Sequence, residues 1–200
     1  MRYPIDVTRE TERKLIERAG RGDKNAAAAL IQRHQGSLYS YLLRLSGRPE
    51  MAEDIAQDAF VRVLANIDRF DTKYRFSTWL FTIAKRLYVN ANQKLKPHYD
   101  TDIVGAARGR GTTPDAPANL DERRDRSRDA VQSALEMLSL TQREVFLLFH
   151  QQGWPIALIA EHFEMPEGTV KSHLHRSREK MRTHLRSAEE HQWALEEAGL

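Results

Sequence analysis

Apolar residues recur at helical spacing along most of the chain, and the two-residue alternation of a half-buried strand is nearly absent. Leu15, Ile16 and Ala19 close a first segment at the break Gly20-Arg21-Gly22-Asp23. Asp23 or Asn25 is placed to cap the next helix, which carries the run Ala26–Ile31 and then Leu38, Tyr41, Leu42 and Leu45 before Ser46-Gly47-Arg48-Pro49 ends it. Pro49 or Glu50 opens a third helix, with Met51, Ile55, Ala59, Val63 and Leu64 on one side. A fourth is predicted from Phe76 to Lys94, where Leu80, Ile83, Ala84 and Leu87 share a face.

The pattern then lapses. From Pro97 to about Arg126 the chain holds Pro97, Gly105, Gly109, Gly111, Pro114 and Pro117 and few large apolar residues. A stretch of ~30 residues is too long for a connection inside a compact domain and reads as a flexible linker. Periodicity resumes with Val131, Ala134, Leu135 and Leu138, then with Val145, Leu148 and Phe149. The turn Gly153-Trp154-Pro155 leads into a short helix, Ile156 to Phe163, and a break at Glu164-Met165-Pro166 precedes a longer helix from Glu167 or Gly168 to Leu185. The expected architecture is all-α: two small helical domains, residues 1–96 and 127–186, joined by a long flexible linker, 97–126. An acidic extension, 187–200, follows; it reads either as a frayed tail or as a short amphipathic helix bearing Trp193 and Leu195.

Composition narrows the function. Of 200 residues, 40% are hydrophobic and 30% charged, enough for a core beneath a large solvated surface. The absence of cysteine removes disulfides, thiolate zinc sites and thiol nucleophiles. Ala26–Ile31 spans six apolar residues, far below the ~20 that cross a bilayer. The start, Met1-Arg2-Tyr3-Pro4, has no apolar signal core, so the chain reads as cytoplasmic with no membrane insertion.

The net charge of +3 says little, but its distribution says more. Residues 72–99 hold six cations and no acid, and residues 166–186 hold six cations against Glu167 and Glu179. Residues 50–71 hold six acids against Arg62 and Arg69. Two polyanion-facing surfaces and one surface for a basic partner fit this segregation.

The two helices around Glu164-Met165-Pro166 make a helix-turn-helix. Val170, Leu174, Met181 and Leu185 form the inward stripe of the second, and the other side shows Lys171, Ser172, His175, Arg176 and Arg178. A helix lying in the major groove reads bases near its N-terminus, here Thr169–Arg176, and meets phosphates farther along. A basic solvated helix in a small bundle is the plainer alternative. The segment 73–96 interleaves Tyr74, Phe76, Trp79, Phe81 and Tyr88 with Lys73, Arg75, Lys85 and Arg86, the combination of rings and cations that holds single strands. Leu80 and Phe81 suit the core, and Trp79 suits either role. On the third helix Asp54, Gln57, Asp58 and Val61 form a stripe at i, i+3, i+4 and i+7, which fits an ordinary solvated face or a dock for a basic helix. His173 and His175 point apart on their helix, and no H-E-x-x-H, Walker loop or G-x-S-x-G is present, so the chain reads as non-enzymatic and needs no cofactor.

Three stretches together resemble an extracytoplasmic-function (ECF) sigma factor of bacterial RNA polymerase. Ala52-Glu53-Asp54-Ile55-Ala56-Gln57-Asp58-Ala59-Phe60 and Phe76-Ser77-Thr78-Trp79-Leu80-Phe81-Thr82-Ile83-Ala84 are similar to parts of sigma region 2, and Gly168-Thr169-Val170-Lys171-Ser172-His173-Leu174-His175-Arg176 to region 4. The resemblance runs from Leu15 to Leu185 in the family's order. It implies that Asp54, Gln57, Asp58 and Phe60 dock on the coiled coil of the largest polymerase subunit. Phe70, Lys73, Tyr74, Phe76, Thr78 and Trp79, with Lys85, Arg86 and Asn90, would open the minus-ten element and hold its melted non-template strand. Gly168, Thr169, Lys171, Ser172, His175, Arg176 and Arg178 would read the minus-thirty-five duplex. The partners implied are core RNA polymerase, promoter DNA and an anti-sigma factor. Two departures stand out: Lys85-Arg86 replaces the family's usual Arg-Asn, and Ala157-Leu158 replaces Glu-Glu. A free-standing helix-turn-helix regulator is the alternative; it has no need of an acidic docking stripe beside a basic aromatic segment.

Overall fold

The computed structural model describes the backbone of residues 5–95 and 120–197 and the side chains of 9–93 and 127–187. Among the described residues there are eight α-helices, one 3-10 turn and no strand. The first body holds α1 (Ile5–Gly20), α2 (Lys24–Ser46), α3 (Pro49–Ala65), the 3-10 turn Ile67–Arg69 and α4 (Phe76–Leu95). The second holds α5 (Leu120–Glu136), α6 (Leu140–His150), α7 (Ile156–Phe163) and α8 (Glu167–Glu197).

Local chemistry sets the boundaries. Asp23 caps α2, its carboxylate accepting from the Asn25 and Ala26 N–H groups at 2.9 and 3.1 Å, and Arg18 donates to the same side chain. Gly47, at φ 68°, ends α2 in the left-handed conformation, and Pro49 opens α3, where its missing N–H costs nothing. A reciprocal capping box, Ser139 with Gln142, starts α6. The turn between α7 and α8 is closed by Glu164 in the left-handed region (φ 52°), an unusual site for a residue other than glycine.

Each body buries one continuous stripe. In the first, α2 lies against α1 and α3, and α4 covers α3; Leu38, Tyr41, Leu42 and Leu45 meet Ala52, Ile55, Ala59, Val63, Leu80 and Ala84 in the core. In the second, α8 is the spine against which α5, α6 and α7 pack, through Leu135, Val145, Leu148, Ile159, Val170 and Leu174. Three expectations shift. Val131 is 36% exposed instead of completing the α5 stripe. α5 begins at Leu120, inside the expected linker, directly after the last breaker, Pro117. α8 runs past Leu185 to Glu197, because residues 186–197 contain neither Pro nor Gly. The stretch expected as linker between Leu95 and Leu120 lies outside the described residues.

The bodies meet along a seam in which α2 and α4 face α6 and α7. Arg143 spans it: its Nε donates to the Leu135 carbonyl at 2.8 Å, Nη1 to Leu45 at 2.9 Å and Nη2 to Glu136 at 3.2 Å. One guanidinium thus satisfies orphan carbonyls at the ends of two helices, α2 and α5, where their dipoles favour a cation. Burial holds its pKa below the usual guanidinium value. Beside it Glu144 is buried (1% exposed) and meets Lys85 of α4, Oε2 to Nζ, at 3.0 Å. Burial pushes the Glu144 carboxyl up, and Lys85 pulls it part of the way back. The Lys85 ammonium also sits 3.9 Å from the Phe163 ring centroid. Phe81 packs on Trp154 at 5.7 Å, and His162 Nδ1 lies 3.2 Å from Thr82 Oγ1.

Burial, and then the Lys85 charge, depress His162 from 6.5 to about 4. The packed imidazole stays neutral while the unfolded chain binds a proton near 6.5, so its contribution is present above that pH and is lost as pH falls toward about 4. The expected outcome is a smaller fall in melting temperature from pH 7 to pH 5 for His162→Gln than for the parent chain, read by calorimetry at both pH values. At the other end of the seam, Ser139→Ala removes the α6 cap and is expected to lower stability by ~1 kcal/mol, measured as a shift of the urea midpoint at constant m-value.

Candidate functional site

The acidic stripe is a solvated crest. Ala52, Ile55, Ala59 and Val63 turn inward on α3, which leaves Asp54, Gln57 and Asp58 exposed and Val61 63% exposed. Grooves run along both flanks. One, of about 870 Å³, is bounded by Asp54, Asp58 and Arg62 on α3 and by Leu87 and Asn90 on α4. The other, of about 760 Å³, lies between α2 and α3 and is lined by Ile31, Tyr39, Gln57, Val61 and Leu64. Phe60, among the expected docking residues, is only 7% exposed and forms a wall of this second groove. Asn90, expected on the minus-ten side, opens into the same groove as the two aspartates.

The loop from Phe70 to Arg75 and the start of α4 form a ring cluster. Phe70 stacks on Trp79 (4.8 Å, 23°) and meets Phe76 edge-on (5.9 Å, 85°). Phe76 is buried against His34, whose Nε2 lies 2.8 Å from Glu12 of α1. Asp71 accepts from the Lys73 N–H at 2.9 Å, and Arg9 of α1 donates to the Lys73 carbonyl at 3.1 Å, so the loop is fastened from two sides. Tyr74 stands out of the cluster at 61% exposure. Beside it lies a cavity of about 470 Å³, lined by Arg9, Arg13, Phe70, Tyr74, Arg75 and Phe76.

Rings and three guanidiniums line this cavity together with the carboxylates of Glu10 and Glu12, so its charge is mixed. The two α1 arginines escaped the sequence reading, because nothing in their spacing says that α1 folds back beside the loop. Of the other expected residues, Lys73 and Arg86 are exposed, and Thr78 buries a hydroxyl without a hydrogen-bond partner. Lys85 is drawn into the seam by Glu144.

On α8 the outward face is open: Gly168, Thr169, Lys171, Ser172, His175, Arg176 and Arg178 are all exposed, while Val170, Leu174 and Ser177 are buried. Ser172 donates its hydroxyl to the Gly168 carbonyl at 2.9 Å, and Lys171 lies 3.9 Å from Glu167. Arg178 Nε is held 3.3 Å from His150 of α6, and burial followed by the Arg178 charge keeps His150 below its ordinary value. His173 turns toward the body and His175 toward solvent, as their spacing requires.

Comparison with known proteins reproduces this division. Residues 30–96 match the model of Sigma-70 region 2 and residues 128–181 that of Sigma-70, region 4. The chain is 33% identical over 185 residues to the ECF RNA polymerase sigma factor SigW of Bacillus subtilis, which covers 87% of this chain and 96% of that protein. Among solved structures, CnrH in complex with the cytosolic domain of CnrY superposes with a TM-score of 0.67 at 22% identity, covering 88% of this chain and 97% of that one. The sigma factor RpoE from Bartonella quintana, in complex with the anti-sigma factor NepR, gives 0.60 at 24% identity, covering 80% and 96%. At such identities the structures speak for the fold alone.

Proposed function

The chain belongs to the ECF RNA polymerase sigma factors, which bind core polymerase and direct initiation at their promoters, and we propose a division of that work among its surfaces. The α3 crest of Asp54, Gln57 and Asp58 docks on a basic coiled coil of the polymerase, with the apolar flank at Tyr39, Phe60 and Val61 supplying buried area. The loop from Phe70 to Trp79, with Arg9 and Arg13 beside it, receives the melted minus-ten strand, and Arg86 meets its backbone. The outward face of α8 enters the major groove at the minus-thirty-five element. An anti-sigma factor that covers the α3 crest completes the proposal, and a regulator of that kind has to bring any thiol chemistry itself, since this chain has no cysteine.

One observation carries the reading: a single helical bundle exposes a carboxylate crest on α3 and, one loop later, a ring-bearing segment with six cations and no acid between Thr72 and Tyr99. A DNA-binding domain working alone needs the second surface and not the first.

Neutralising the crest with Asp54→Asn/Asp58→Asn is expected to weaken holoenzyme assembly by roughly tenfold or more, mostly through the association rate and with a flatter salt dependence. Both aspartates are solvated, so the fold is expected to be unchanged; interferometry with immobilised core polymerase at two salt concentrations checks it. Arg176→Ala is expected to cost ~1–3 kcal/mol of discrimination at one base pair of the minus-thirty-five element, with assembly unaffected. Transcription from a library of randomised minus-thirty-five sequences reads that directly.

A further inference from the structure

The loop assigned above to the melted minus-ten strand is held from outside as well as from within. α1, which contains none of the three sigma-like motifs, runs beside it and reaches the loop or its support at three points. Near its C-terminal end, Gly20 passes so close to the 3-10 turn that a Cβ on it would lie 3.5 Å from the Asp68 Cα. In the middle, Glu12 Oε1 lies 2.8 Å from His34 Nε2 and 3.4 Å from Arg33 Nε. Farther toward the N-terminus, Arg9 Nη2 donates to the Lys73 carbonyl at 3.1 Å.

The middle contact reaches the rings. The His34 imidazole lies 5.1 Å from the Phe76 ring, and Phe76 meets Phe70 and Trp79 at 5.9 and 6.1 Å. Phe76 is 1% exposed, and the Glu12 and His34 side chains are 17% and 11% exposed. This line of contacts therefore runs through close-packed groups, which pass a displacement on rather than absorb it.

A loop that receives an unstacked base gains from holding its receiving shape beforehand. Ordering it on binding draws on the same free energy that has to offset the lost stacking. Asp71 shapes the loop internally: its carboxylate accepts from the Lys73 N–H at 2.9 Å, and its carbonyl accepts from the Tyr74 N–H at 3.1 Å. Those bonds form the turn but do not fix where it sits on the bundle. The contacts from α1 do.

We propose that α1 is the positioning element of the minus-ten loop, with Arg9 and Glu12 as positioning residues that sharpen base selectivity without touching DNA. The inference rests on the reading of that loop as the strand receiver, and deepens it. Charge makes it specific. Glu12 is an acid near a surface meant for a polyanion, and Arg9 is a cation near the same surface. As direct electrostatic contributors they have opposite effects: loss of Glu12 strengthens strand binding, and loss of Arg9 weakens it. As positioning residues they act with one sign, since either loss frees the loop.

The test uses holoenzyme formed from the full chain and core polymerase, transcribing a library of randomised minus-ten sequences. Arg9→Ala and Glu12→Ala are each expected to flatten the preference for the favoured minus-ten bases by ~5-fold or more, with assembly and the minus-thirty-five preference as in the parent. A purely structural loss lowers total transcription and leaves the preference among bases as it was, so an unaltered preference in either folded variant overturns the proposal. Tighter binding of minus-ten single strands by Glu12→Ala holoenzyme overturns it too. For Arg9→Ala the salt dependence of that binding is expected to match the parent; a slope shallower by ~0.7 marks a lost phosphate contact and overturns positioning by Arg9. Arg9 is exposed, so Arg9→Ala carries the test if Glu12→Ala does not fold. Tyr74→Ala, at the exposed tip of the loop, probes the underlying reading. A minus-ten preference untouched by Tyr74→Ala strikes the loop as strand receiver, whereas a preference lost in Tyr74→Ala and kept in Arg9→Ala strikes only the role of α1.

Discussion

A single constraint shapes the molecule: α4 has to satisfy three surroundings with one helical period. At about 100° per residue, Leu80, Ala84 and Leu87 fall on the face that closes the first core, and each is buried. Phe81, Thr82 and Lys85 then fall toward the second body, and Arg86 and Asn90 toward solvent. Lys85 and Arg86 are neighbours in sequence, yet one is tied to Glu144 and the other is free of the seam. The apolar stripe fixes this division, since rotating α4 to release Lys85 would drag Leu80 and Ala84 out of the core at ~25 cal/mol for each Å² exposed.

Much of the fold was legible because its signals are local. Asp23, Gly47, Pro49 and the Glu164-Met165-Pro166 break mark helix ends through groups within a few residues of one another, and the structure places boundaries at each. The core stripes of α2 and α3 follow from spacing alone. The exposed crest at Asp54 and Asp58 and the open face at Lys171–Arg176 were also readable, as the complements of those stripes. What escaped depends on the approach of segments remote in sequence. Arg9 and Arg13 join the ring cavity across about sixty residues, a return that helical periodicity does not encode. Arg143 and Glu144 lie beside the stripe of Val145, Leu148 and Phe149, and nothing local in the sequence says that both side chains are committed to the seam.

The seam and the cores are stabilised by different physics, and the difference matters for function. Within each body, burial of Leu, Ile, Val and Phe is non-directional and tolerates no partial opening, because water enters as soon as contacts loosen. Across the seam, Arg143, Glu144, Gln152 and Thr82 supply directional contacts whose partners water, phosphate or another protein can replace. The junction mixes these directional contacts with apolar ones, Phe81 on Trp154 and Phe163 beneath the Lys85 ammonium, so it is neither a core nor a purely polar surface.

This asymmetry also bears on how the protein discriminates promoter from bulk DNA. With α8 exposed, its cations can meet any duplex, and such contact is dominated by phosphate neutralisation and falls steeply with salt. Duplex binding by the free chain is thus no argument for a self-sufficient regulator, since a sigma factor with this surface would show it as well. The distinguishing surface is the α3 crest, whose exposed carboxylates repel DNA and complement a basic surface. The charges that the chain leaves in water differ accordingly: the carboxylates of α3 are solvated, whereas the lysine of α4 is paired with Glu144.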